Sequence, residues 1–237
     1  AKGLGLRLIR SSSASLPPAV FEELKDVFRC PVIEAYGMTE AAHQMTSNPL
    51  GDANQKAGFV GIATSPEVCI MDREGNRLNG DAEGEVCIRG DNVTPGYENN
   101  PAANESSFTS GWFRTGDQGF FDGDGYLKIT GRLKEIINRG GEKVSPLEVD
   151  NVLMEHPAVQ QVVTFAVADR MLGEEIAAAV VLADGGELDA AGLRAYAETH
   201  LAKFKIPKHI VFLDEIPKGA TGKLQRIGLA QKLGLED

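Results

Sequence analysis

The chain has 237 residues, 42% hydrophobic and 24% charged, enough length and apolar content to bury a core and too much of both for a disordered polymer. A formal net charge of -10 opposes sequence-independent binding to nucleic acid or to an anionic membrane surface, so neither is an expected partner. Cys30, Cys69 and Cys87 form no C-x-x-C pair and the four histidines are scattered, which points to neither a disulfide framework nor a zinc site and suits a reducing cytoplasm.

No apolar run reaches membrane-spanning length, and the terminal GLED is not a peroxisomal address. The opening AKGLGLRLIR lacks the pattern of a signal peptide and reads as a strand entered in mid-fold, over residues 4–9. A polar turn over 11–15 follows. Pro17 and Pro18 then open a helix in which Phe21, Leu24, Val27 and Phe28 recur at three- and four-residue spacing and form an apolar stripe. The next strand, 31–36, delivers residues 37–40 at its C-terminal end, where open α/β sheets place their ligands. From residue 58 to 130 the hydrophobic period falls to two. Short strands over 68–71, 85–88 and 126–130, parted by turns such as REGN and DGDG, predict a small antiparallel barrel or sheet. Gly131 and Arg132 mark a boundary, giving expected domains of 1–131 and 132–237.

Beyond it strands alternate with helices: a strand over 133–138, a helix after Ser145, strands over 162–167 and 176–182, a helix over 188–201 and a strand over 209–213. Ser145, Pro146 and Glu148 compose a helix start in which the hydroxyl and the carboxylate can each satisfy an orphan N–H. The expected fold class is therefore α/β followed by α+β: an α/β unit with a small antiparallel barrel, then a small α+β domain.

Three blocks carry the chemistry: EAYGMTEAAH at 34–43, GWFRTGDQGFFDGDGYLKITGRLKEIINRGGEKVSPLEVD at 111–150, and PKGATGK at 217–223. In that order and at that spacing they resemble the acyl-adenylate-forming, AMP-binding superfamily of acyl-CoA synthetases and adenylation domains, across nearly the whole chain. The Ser/Thr/Gly-rich loop ending in Pro-Lys-Gly that holds ATP phosphates in that family has no counterpart here, so the chain is expected to be the C-terminal part of a longer enzyme. The resemblance makes residues 1–131 the end of the large AMP-binding domain and 132–237 the small mobile domain.

Activating a carboxylate with ATP brings two anions together, so the site must neutralise charge and hold a carboxylate oxygen in line with the α-phosphorus. Lys223, at the end of a Gly-rich turn, can carry an ammonium into a closed site. By position alone it is a solvated lysine, and the resemblance matches it to the lysine that catalyses adenylation. Asp117 is suited to accept hydrogen bonds from both ribose hydroxyls, where a lone TGD is more often a turn, and Arg132 offers directed donors to ribose or phosphate. Tyr36 offers a flat face for adenine, with Gly37 beside it at the ATP or AMP, Thr39 a hydroxyl for the α-phosphate, and Glu40 a hard oxygen for Mg2+. Otherwise Tyr36 is a core aromatic and Glu40 a solvated helix-start carboxylate. ATP, Mg2+ and coenzyme A are the implied cofactors and co-substrates. The resemblance also implies a rotation about Lys134 that withdraws Lys223 and presents residues 139–143 to the pantetheine arm. There Gly140 and Gly141 let the backbone come close, or simply form the tight turn before Val144.

For the acid, His43, Gln44 and the Ser11 to Ser13 turn supply polar groups that can grip a second carboxylate, with a protonated His43 adding charge. The stretches SSSAS, YGMTEAAHQMTSNPL and INRGGEKVSPLEVD resemble the oxalate-activating members of the family, which makes oxalate the first choice and assigns His43 and Ser13 to the acid. A structural His43 bonded to a loop carbonyl is the competing reading. Malonate, another short acid or a coumarate-like acid are alternative substrates. A carrier-protein-loading adenylation domain and a non-catalytic module are alternative functions.

Overall fold

Two units separate between Leu133 and Lys134 in the computed structural model of the protein, which describes residues 5–51, 54–219, 222 and 224–235. In the first unit the α/β segment consists of β1 (Ile9–Ser11), α1 (Pro18–Phe28), β2 (Val32–Met38), β3 (His43–Ser47) and β4 (Ile62–Ala63). These strands form a sheet of order β1-β2-β3-β4, parallel between β1 and β2 and antiparallel beyond. The first strand lies later than the predicted 4–9. Its partner is the buried Val32–Glu34 stretch of β2, in register Ile9↔Val32 to Ser11↔Glu34, while residues 5–7 are exposed and Leu4 is outside the described residues. The α1 stripe is also narrower than its spacing predicts. Phe21 is fully buried against Leu16 and Val32 with Leu24 beside it, whereas Val27 is 45% exposed.

A second sheet of order β10-β9-β7-β5-β6, with β8 beside β9, follows from β5 (Glu67–Met71), β6 (Arg77–Leu78), β7 (Gly84–Arg89), β8 (Phe108–Thr109), β9 (Trp112–Phe121) and β10 (Leu127–Arg132). The short α2 (Pro101–Ser107) precedes β8, its N-terminus capped by Asn100 accepting from the Ala103 N–H. β9 escapes the alternation search because polar and small residues occupy its inward positions. On the face that carries Asp117 the buried residues are Phe113, Thr115, Asp117 and Gly119, of which only Phe113 is large and apolar, while Trp112 is buried on the other face. A β-carbon at Gly119 would lie 2.4 Å from the Lys128 carbonyl oxygen, so the glycine is what allows β10 to pair there.

A single 3-10 turn, Leu133–Glu135, spans the boundary where a strand over 133–138 was predicted, and Lys134, the first residue of the second unit, is exposed in it. There follow β11 (Ile137–Arg139), β12 (Glu142–Val144), α3 (Pro146–Met154), β13 (Val159–Asp169), β14 (Gly173–Leu182), α4 (Ala190–Glu198), β15 (His209–Phe212) and α5 (Leu229–Lys232). The sheet runs β12-β11-β14-β13, with β15 parallel to β14. Alternation along β13 and β14 divides two cores. Val162, Ile176, Ala178 and Val180 face α3 and α4, while Val163, Phe165, Ala177 and Ala179 face Ile216 and Leu229 on the other side. The Ser145 hydroxyl accepts the Glu148 N–H at 3.4 Å, and the Glu148 carboxylate takes Lys205 Nζ at 2.6 and 2.7 Å. No described helix is long and apolar enough to cross a membrane.

Candidate active site

β2 carries Tyr36 and Gly37 to its end, where the pairing with β3 shifts register between them. A β-carbon on Gly37 would sit 1.5 Å from the His43 carbonyl oxygen, so only glycine lets the two strands close here. The chain then makes the 3-10 turn Thr39–Ala41 and reverses through Ala42 and His43, whose φ values of 50° and 88° place two consecutive side chains in the left-handed region. Thr39 and Glu40 stand on this turn, Thr39 exposed and Glu40 half-buried.

Three sequence-selected residues meet. Asp117 on β9 is 7% exposed, and its Oδ2 accepts the Tyr36 hydroxyl at 2.5 Å while Oδ1 accepts Arg132 Nε at 2.8 Å. The β9–β10 register sets Asp117 opposite Arg132, so strand pairing itself presents the guanidinium to the carboxylate. Burial, together with the negative charge of Asp117, pushes the Tyr36 phenol well above its usual range, and the hydroxyl therefore stays a donor. A carboxylate has about four acceptor positions, so Asp117 keeps capacity for hydroxyl donors beyond these two.

The supports of Asp117 left no trace in the sequence pattern. Thr115 Oγ1 accepts the Asp117 N–H at 3.1 Å and donates to the Val86 carbonyl at 2.8 Å. Glu85, buried on β7, accepts Arg114 Nε at 2.8 Å and the Gly116 N–H at 3.0 Å, fixing the backbone one residue ahead. Around Glu40, the Tyr97 hydroxyl donates to Oε1 at 2.8 Å, the Thr94 N–H to the Glu40 carbonyl at 2.7 Å, and Asn92 Nδ2 to the Ala41 carbonyl at 2.8 Å. No group of three or more His, Cys, Asp or Glu able to hold a metal occurs among the described residues. A single oriented carboxylate fits Mg2+ all the same, since that ion takes one or two protein carboxylates and fills its other positions with phosphate oxygens and water.

The exposed His43, paired with Met38 in the β2–β3 ladder, has no side-chain hydrogen bond among the described residues, and no loop carbonyl holds its imidazole. Its neighbour Gln44 is fixed, accepting from Arg10 Nη2 at 3.0 Å and donating to Thr64 Oγ1 at 3.1 Å. Ser13 is exposed with φ 75°, and no described hydrogen bond links it to His43.

In the second unit Gly140 and Gly141, at φ 60° and 98°, are the two-residue turn of the β11–β12 hairpin, and both positions require the conformation that glycine adopts freely. The hairpin stem is fixed by Arg139, which donates to both carboxylate oxygens of the buried Glu175 at 2.5 and 3.0 Å, and the Gly140 N–H reaches the Leu172 carbonyl at 2.8 Å. Lys223 lies outside the described residues. Around it Lys218 and Leu224 form an antiparallel bridge, and the Gly222 N–H donates to the Gly219 carbonyl at 2.9 Å.

A model of the AMP-binding enzyme family matches residues 2–98, and one of the AMP-binding enzyme C-terminal domain matches 148–223. A probable CoA ligase, CCL9, of Humulus lupulus is 53% identical over 93% of this chain and 42% of its own length. An oxalate–CoA ligase of Arabidopsis thaliana is 51% identical over 95% of this chain and 44% of its own length. The crystal structure of ATP-bound MatB from Rhodopseudomonas palustris superposes with a TM-score of 0.89 at 34% identity, over 95% of this chain and 45% of that one. The chain thus spans less than half the length of these relatives.

Proposed function

This chain belongs to the AMP-binding, acyl-adenylate-forming enzymes, and from that premise we propose that the protein containing it is an ATP-dependent acid:CoA ligase acting on oxalate. The observation that carries the reading is the meeting of Tyr36, Asp117 and Arg132 on three strands, an arrangement suited to a nucleoside. Tyr36 offers its ring to adenine, Asp117 accepts from the ribose hydroxyls, and Arg132 pairs with that carboxylate and reaches toward ribose or phosphate. Thr39 donates to the α-phosphate and Glu40 ligates Mg2+, which offsets phosphate charge when bound. With Lys223 neutralising charge at the α-phosphorus, the acid's carboxylate oxygen bonds to phosphorus and pyrophosphate leaves. The sulfur of coenzyme A then bonds to the acyl carbon and AMP leaves. In this second step the small unit turns about Lys134 and the Gly140–Gly141 turn lies along the pantetheine arm.

Oxalate is supported by the named activity of the Arabidopsis relative and by His43, whose exposed imidazole has no hydrogen-bond partner among the described residues. We assign His43 and Ser13 to the second carboxylate. The three cysteines, all buried and unpaired, support a reducing compartment, the cytoplasm. Pyrophosphate release by the full-length protein with ATP and Mg2+, across oxalate, malonate, acetate and coumarate, with and without coenzyme A, tests class and substrate together. The expected result is turnover selective for oxalate and completed by coenzyme A, with His43→Ala lowering kcat/KM for oxalate at least tenfold. Unchanged constants in that variant remove His43 from the acid site, and turnover completed by a carrier protein in place of coenzyme A replaces the ligase reading.

A further inference from the structure

Arg226 stands three residues after Lys223, on the outgoing leg of the hairpin closed by the Lys218–Leu224 bridge. Its guanidinium reaches three separate elements of the second unit. Nε donates to Glu135 Oε2 at 3.1 Å, and Nη1 to the Thr164 carbonyl at 2.9 Å and to Asp150 Oδ2 at 2.7 Å. Asp150 lies on α3, 7% exposed, and its Oδ1 accepts the Thr164 N–H at 2.7 Å. Glu135 belongs to the opening 3-10 turn and directly follows Lys134.

Stability alone explains this cluster poorly. A buried ion pair contributes little net stability against its desolvation cost, and an apolar group of the same size does as well or better. Apolar fastening is available on the same leg, where Leu229 and Ala230 are buried against the sheet, and on the incoming leg, where Ile216 is fully buried. What a planar fork does that an apolar side chain does not is fix direction at several acceptors at once.

We propose that Arg226 is a positioning residue that ties the leg directly following Lys223 to the turn bearing Lys134, so that rotation at the turn carries that leg with it. The proposal rests on the ligase reading above. Asp150 and the Thr164 carbonyl hold the guanidinium against α3 and β13, and Glu135 is the arm that reaches the turn. Adenylation depends on where Lys223 stands, and a shift of about 1 Å in a reacting geometry costs up to about a hundredfold in rate. The thioester step uses the Gly140–Gly141 turn, whose stem is fixed separately by Arg139 and Glu175. Loosening the Arg226 link is therefore selective for one half-reaction.

The test is Glu135→Gln in the full-length protein, which removes the charge from the outer arm and leaves the Arg226–Asp150 pair intact, with Arg226→Lys as the second variant. ATP–pyrophosphate exchange reads adenylation, and consumption of preformed acyl-adenylate by coenzyme A reads the thioester step. The expected result is a fall of about tenfold or more in the exchange rate for both variants, with the KM for ATP within twofold, the thioester step unchanged, and Tm of Glu135→Gln within a few degrees. Exchange at the native rate in Glu135→Gln, or an equal fall in both half-reactions, overturns the proposal. A native protein that forms no adenylate with any acid fails the ligase reading first, a result distinguishable because it precedes any comparison of variants.

Discussion

The first unit positions its functional groups by strand pairing, whereas the second holds its own on turns whose stems are pinned by ions. Tyr36, Asp117 and Arg132 sit on β2, β9 and β10 and bond to one another. Gly140 and Gly141 form a turn tied at its base by Arg139 to Glu175, and the leg after the Lys218–Leu224 bridge is tied by Arg226 to Asp150 and Glu135. A group that must recognise a fixed nucleoside gains from a rigid sheet, and a group that must enter and leave a site gains from a short turn on a stiff stem. The contrast predicts that damage to the first unit abolishes nucleotide chemistry outright, while damage to the second separates the two half-reactions.

The largest effect is expected from Asp117→Ala, which strips the Tyr36 hydroxyl of its acceptor and Arg132 of its counter-ion in one change. Adenylation should fall by about a hundredfold or more, with weaker binding of AMP measured by calorimetry. Native AMP affinity in this variant would break the account of the first unit. Next in size is Gly140→Ala. Its φ of 60° costs about 1 kcal/mol for a residue with a β-carbon, and that carbon would stand 3.0 Å from Leu172 Cδ2. Tm of the second unit should drop by a few degrees and the thioester step slow, with adenylation unchanged. Equal loss in both steps would erase the distinction between the two stems.

The smallest effect concerns Glu34, buried on β2 two residues ahead of Tyr36. Burial pushes its carboxyl from 4.5 up to about 7, outweighing the Leu16 N–H that donates to Oε1 at 3.0 Å and pulls it down. Between those values the folded chain holds a proton that the unfolded chain has lost. The stability contribution is therefore complete below the unfolded value and lost as pH rises through about 7. Glu34→Gln keeps an acceptor for Leu16 without the ionisation, so it should raise Tm at pH 8 by more than at pH 5. A shift independent of pH would show that Glu34 ionises normally in the fold.

Much of this molecule was legible in the chain. The alternation of β13 and β14, the prolines opening α1, the strand leading into YGMTE and the Gly140–Gly141 turn all have short-range signatures, and each lies where the pattern puts it, within a few residues. β9 did not, because site residues such as Thr115 and Asp117 fill its buried face and erase the apolar period. Its clamp, Glu85, looks like any surface glutamate until β7 pairs with β9 and brings it to Gly116. Tyr97 and Arg226 were invisible for the same reason. Their partners Glu40 and Glu135 lie 57 and 91 residues away, and no local rule relates residues at that separation.

The most direct test of the whole account is oxalate-dependent exchange of labelled pyrophosphate into ATP by the full-length protein in the presence of Mg2+, measured beside Lys223→Ala. Exchange that requires oxalate and falls by about a hundredfold or more in the variant is the predicted result. Exchange that proceeds equally well in Lys223→Ala, or none with any acid in the native protein, would contradict the claim that this chain carries the adenylate-forming machinery of an acid:CoA ligase.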